Sequence, residues 1–144
     1  MFVYTPEYYP DPTGALAVDR VAAAAVPRFM PRKDIGMVYI CSPFAGDVER
    51  NKKQARRYCR FAVGCGHMPV APHLFFPQFM NDADPDQRAL AMKFCKMLLG
   101  KCRQLWVFGD RISAGMAEEI ERARRRGMPI RYFTTECEEV YRND

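Results

Sequence analysis

Gly115 and Glu119 stand four residues apart, a spacing that puts both on one face of a helix. A carboxylate in that position can serve as a nucleophile, and the missing side chain of the glycine leaves room for a ligand against the helix. From spacing alone, a solvated surface glutamate is the simpler account. Ser113, two residues before Gly115, is suited to cap the start of the same helix. Upstream, Ser42-Pro43-Phe44-Ala45-Gly46-Asp47 places a hydroxyl and a glycine directly after an apolar run. Free backbone N–H groups at the next helix start can hold a phosphate. The loop is neither a Walker loop nor a GxGxxG, and an ordinary strand-to-helix turn explains it more simply.

His73 follows Pro72 and can bind a phosphate or act as an acid; a hydrogen-bonded structural histidine fits as well. Asp82, Asp84 and Asp86 do not have the spacing of a calcium loop and read as turn formers. The six cysteines form no CxxC pair, and His67 and His73 are the only histidines, so no metal site is expected. Reduced, buried thiols are the expectation, with no redox cofactor.

These residues need elements to position them. Met37-Val38-Tyr39-Ile40-Cys41 is a continuous apolar run, as in a strand covered on both faces. From Val48 to Val63, Ala55, Tyr58, Cys59, Ala62 and Val63 recur at helical spacing, and Gly64 and Gly66 stop the helix. Met68-Pro69-Val70-Ala71 reads as a short strand, and a loop carrying Leu74-Phe75-Phe76 then runs to Asp84. A helix starts near Pro85 with Ala91, Phe94, Cys95 and Leu98 on one side. Gln104–Phe108 is a strand; Ser113–Arg126 is a helix with Met116, Ala117, Ile120 and Ala123 as its buried stripe; Pro129–Phe133 is a last strand. Residues 1–35 read as a lead-in with a short alanine-rich helix at Ala15–Val26, residues 36–135 as one domain and 136–144 as a tail.

Alternating strands and helices imply an α/β fold of three layers, flavodoxin- or Rossmann-like. Its parallel sheet has four to five strands, with helices on both faces. Ligands of such sheets bind beyond the carboxyl ends of the strands. That directs attention to Ser42–Asp47, Pro72–Phe76 and Gly109–Gly115. At 144 residues one core is expected. No run reaches the ~20 apolar residues of a membrane span, and no secretory layout opens the chain, so a cytoplasmic protein is expected. The net charge of +5 comes largely from arginines and lysines on two helices, interleaved with Glu49 and Glu121. Without a nucleic-acid-binding signature, this favours a small anionic ligand over a polymer.

Taken together, Tyr39–Gly46, Leu105–Asp110, Ser113–Ile120 and Gly127–Ile130 resemble nucleoside 2-deoxyribosyltransferases and their 2′-deoxynucleoside 5′-phosphate N-hydrolase relatives. The segments Ser42–Glu49, Ala71–Leu74 and Trp106–Ser113 look closer still to domains of the DUF4406/DUF7768 type. The resemblance implies that Glu119 attacks C1′ of a deoxyribose and that Tyr39 lines the sugar pocket. It places Ser42, Pro43, Phe44 and Gly46 in the loop that meets the sugar or its 5′-phosphate, and Ser113 and Gly115 beside them. Asp110 is a candidate acid for the leaving base. The transferases carry an aspartate where this chain has Ser113, which favours a phosphorylated ligand. The hydrolases carry a first-loop arginine that is absent here, leaving Arg111 or His73 to supply charge. The implied activity is cleavage or exchange of an N-glycosidic bond in a nucleoside or nucleotide, without metal or cofactor, in a homo-oligomer. The alternative is a nucleotide-binding module that senses its ligand without turning it over.

Overall fold

The computed structural model describes residues 35–142. The Ala15–Val26 helix, and all but the last residue of the expected lead-in, lie outside them. The described chain runs β1 (Met37–Cys41), α1 (Val48–Gly64), β2 (Met68–Val70) and α2 (Pro72–Phe75), then a 3₁₀ turn at Phe76–Gln78. It continues through α3 (Pro85–Lys101), β3 (Gln104–Phe108), α4 (Ala114–Arg125), β4 (Ile130–Phe133) and β5 (Glu139–Val140).

Each long helix has a side-chain cap at its start. The Asp47 carboxylate accepts from the Arg50 N–H, Asp84 from Asp86 and Ser113 from Met116. These bonds satisfy donors that a helix leaves orphaned in its first turn. After α4, Gly127 adopts a positive φ of 67°, the left-handed conformation that closes a helix and that glycine takes without steric cost.

The sheet order is β2-β1-β3-β4-β5, the first four strands parallel and β5 antiparallel to β4. The chain therefore leaves β1 toward one edge, returns, and continues on β1's other side. The carboxyl ends of β1 and β3 flank the point where the strand order reverses, where ligands of open α/β sheets bind. Strand alternation divides β1 between two cores. Val38 and Ile40 pack with Tyr58 and Ala62 of α1 and with Trp106, Phe108 and Phe133. Tyr39 and Cys41 face the other way, toward Leu99 of α3 and Met116, Ile120 and Ala123 of α4. Helices on both faces complete the three layers. Among the described residues no helix is long and apolar enough to cross a membrane.

Several local expectations change. Leu74-Phe75-Phe76 is not loop but lies in α2 and the 3₁₀ turn, nucleated by Pro72 at the first helical position. Ala71 is not in β2; it precedes α2 as its cap residue. Val63 is 42% exposed, because α1 turns Ala55, Tyr58 and Ala62 inward. Ala117 is exposed as well: the inward line of α4 runs Met116, Ile120, Ala123, and Ala117 lies beside it. Of the six cysteines, all free thiols, Cys41 and Cys102 are buried and the others are half-buried. Part of the expected tail forms β5, held to β4 by the paired Arg131 and Glu139 side chains at 2.7 and 2.8 Å.

Candidate functional site

A cleft of about 420 Å³ opens at the carboxyl ends of β1 and β3, within the usual range of small-molecule sites. The β1–α1 loop contributes Ser42, Pro43, Phe44 and Ala45, and the start of α2 contributes Pro72 and His73. Helix α4 supplies Ser113, Ala114, Gly115, Met116, Glu118, Glu119 and Arg122. The far wall is α3, with Arg88, Ala91, Met92, Cys95, Lys96 and Leu99, and Asp82 stands before it. Two of the three strand-end loops named from sequence thus meet in one cleft with the end of the third.

Glu119 is held from β1. The Tyr39 hydroxyl donates to Glu119 Oε2, and the Cys41 thiol lies 3.4 Å from Oε1. The Cys95 thiol of α3 lies near enough to Tyr39 and Glu119 to interact electrostatically with both. Burial pushes the Glu119 carboxyl up to about 7, since the charged form is costly away from water. The hydrogen bonds from Tyr39 and Cys41 pull it down, and the neighbouring Glu118 charge raises it further. Burial likewise raises Tyr39, aided by the Glu119 charge, so the phenol stays protonated and serves as a donor. Glu119 is therefore no solvated surface glutamate. It is a desolvated carboxyl, poised between its two forms near neutrality, on the wall of a cleft.

The rest of the site divides by position. Phe44 and His73 stack, ring centroids 4.9 Å apart and planes 24° from parallel. Burial lowers the His73 pKa, opposed by Asp82, so the imidazole favours its neutral form. Above Gly115 there is open space: apart from its chain neighbours and its own helix backbone, nothing lies within 4 Å of where a Cβ would stand. Ser113 caps α4 at the cleft wall and keeps its hydroxyl hydrogen for other partners. Gly46, Asp110 and Arg111 do not line the cleft. Gly46 instead turns the β1–α1 loop, with a φ of 95°, and Asp110 is exposed.

Residues 36–133 match a family described as a domain of unknown function, DUF7768. The chain belongs to this family. The DUF7768 domain is similar in structure to a 2-deoxyribosyltransferase from Bacillus psychrosaccharolyticus, with a TM-score of 0.56 and 18% identity over 75% of this chain and 86% of that one. It is also similar to a 2-desoxiribosyltransferase from Leishmania mexicana, with a TM-score of 0.50 and 13% identity over 69% of this chain and 64% of that one. At these identities the likeness is one of fold. A search of curated proteins gave no match.

Sequence reasoning missed two thiols and a wall. Cys41 was legible as a neighbour of Tyr39, because residues two apart on a strand share a face. Cys95 shows in the sequence only as part of an apolar helix stripe. Arg88 and Lys96 gave no signal separating them from other surface cations.

Proposed function

We propose that this DUF7768 domain cleaves or exchanges the N-glycosidic bond of a (deoxy)nucleoside or nucleoside monophosphate, with Glu119 as nucleophile. The observation that carries the reading is the desolvated Glu119 carboxyl, bound by Tyr39 and Cys41, at the β1/β3 switch point. The shared fold with 2-deoxyribosyltransferases supports it. In the first step a Glu119 oxygen forms a bond to C1′ while the C1′–N bond breaks. The electron pair of that bond leaves on the base, which takes a proton from water. In the second step water, or a second base, attacks C1′; the C1′–O bond breaks, Glu119 regains its carboxylate, and the attacking group gives up its proton to solvent. Tyr39 steadies the carboxylate, and the stacked Phe44–His73 pair offers a flat surface for a base. The cleft-lining cations Arg88, Lys96 and Arg122 suit a phosphate-bearing ligand.

A second reading, a nucleotide-binding module without turnover, is favoured by one observation: Asp110, the candidate acid for the leaving base, does not line the cleft. One experiment separates the two. The protein is incubated with nucleosides, deoxynucleosides and their monophosphates, and free base is measured chromatographically beside Glu119→Ala. Base released by wild type alone supports the glycosidic reading. A ligand-induced melting shift without release from any substrate supports the binding module.

A further inference from the structure

Both donors that meet Glu119 come from β1, two residues apart. Strand alternation sends Tyr39 and Cys41 to the face covered by α3 and α4, while Val38 and Ile40 go to the other. Tyr39 takes Oε2, and the Cys41 sulfur lies 3.4 Å from Oε1, so each oxygen of the carboxylate has its own donor. We propose that Cys41 is a positioning residue for Glu119, its S–H donating to Oε1, so that β1 fixes both oxygens and favours the ionised form. Its importance for turnover rests on the reading of Glu119 as nucleophile; the Cys41–Glu119 contact does not.

A thiol suits the place. Cys41 is wholly buried, and cysteine packs as a small hydrophobe while keeping one weak donor. Burial and the Glu119 charge push the thiol pKa up, so the hydrogen stays on sulfur. Among the described residues that hydrogen has one competing acceptor, the Met116 carbonyl at 3.9 Å. The shorter contact and the negative charge both favour Glu119. The other groups facing Glu119 are the Tyr39 hydroxyl from β1, the Cys95 thiol from α3 and the Glu118 carboxylate from its own helix. Arg88, Lys96, Arg122 and His73 line the same cleft.

The test is a carboxyl-carbon NMR titration of protein labelled in its glutamates, with the Glu119 signal assigned by its loss in Glu119→Gln. In Cys41→Ala the Glu119 midpoint should rise by about one pH unit as an ionised-state donor is lost. In Cys41→Ser, which keeps a donor, it should stay near wild type. The acidic limb of base release should move with the midpoint. An unmoved Glu119 midpoint in folded Cys41→Ala overturns the proposal. Should that variant not fold, the S–H stretching band decides, assigned by its loss in Cys41→Ser. The band should rise in frequency in Glu119→Ala, where its acceptor is gone. An unchanged band means that the hydrogen goes to Met116, and the proposal falls. A moved midpoint in a protein that releases no base supports this inference and counts against the glycosidic reading. Base release with an unmoved midpoint does the reverse.

Discussion

At the scale of single residues, Glu119 and Gly115 make opposed predictions about activity and stability. A nucleophilic carboxylate must be ionised, so base release should climb through about pH 7, where burial has moved Glu119, and level off above it. A rate already level at pH 5 would show that another group limits the reaction. Gly115 sits in the first turn of α4 with open cleft above it. Alanine there should stabilise the fold by ~0.5–1 kcal/mol, because a helix favours it over glycine and nothing in the protein obstructs the new methyl. The same methyl intrudes on the ligand, and one misplaced methyl in a pocket costs roughly tenfold or more in affinity. A urea melt and a ligand titration on Gly115→Ala measure both. Loss of stability would mean that the methyl is obstructed after all, and undiminished binding that the open space is not where ligand lies.

At the scale of elements, Ser113 joins the start of α4 to the cleft. Removing its cap in Ser113→Ala should cost about 1 kcal/mol in a denaturant melt. Ser113→Asp keeps a capping oxygen and should restore that stability, while its charge repels an anion at the cleft wall. Its binding of a nucleoside monophosphate should therefore fall more than its binding of the nucleoside. Equal losses for the two ligands would remove the phosphate from Ser113's side of the cleft. The same elements explain what the sequence made legible. Met37–Cys41 and Leu105–Phe108 are covered on both faces of the sheet, so each shows as an unbroken apolar run. Helices α1 and α4 lay one stripe on the sheet, and the 3.6-residue period betrays them. Helix α2 has four residues and β5 two, too few for any period to register. Helix α3 is different: Leu90, Met92 and Met97 are 45%, 43% and 66% exposed. Its apolar residues surround it, so its pattern does not reveal which side forms the cleft wall.

At the scale of the whole molecule, the site consists of contacts between distant positions, and its cost to the fold can be measured. Tyr39 and Glu119 are 80 residues apart, and no local pattern joins them. The strand order does, by bringing α4 across the end of β1. The family resemblance named both residues, but only the packing turns Glu119 inward and strips away part of its water. That desolvation opposes folding whenever Glu119 is charged. Its pKa is about 7 in the folded protein against an ordinary 4.5, so the folded state holds the proton more tightly. The contribution of Glu119 is thus most favourable below about pH 4.5, declines as pH rises toward 7, and is constant above. Other groups titrate over the same range. The Arg131–Glu139 pair lowers the Glu139 pKa, and His73 is lowered by burial, so both contribute stability that is lost on acidification. A single pH–stability curve mixes all three. The difference between wild type and Glu119→Gln removes the two that the proteins share. Near pH 4 the neutral glutamic acid and the amide are alike, and the difference should be small. By pH 8 the amide variant should be the more stable by roughly 3 kcal/mol, the size expected for a shift from 4.5 to about 7. Paired urea melts from pH 4 to pH 8 measure it. A difference that stays flat across that range would mean that Glu119 keeps its water in the folded protein, and a nucleophile tuned by burial would go with it.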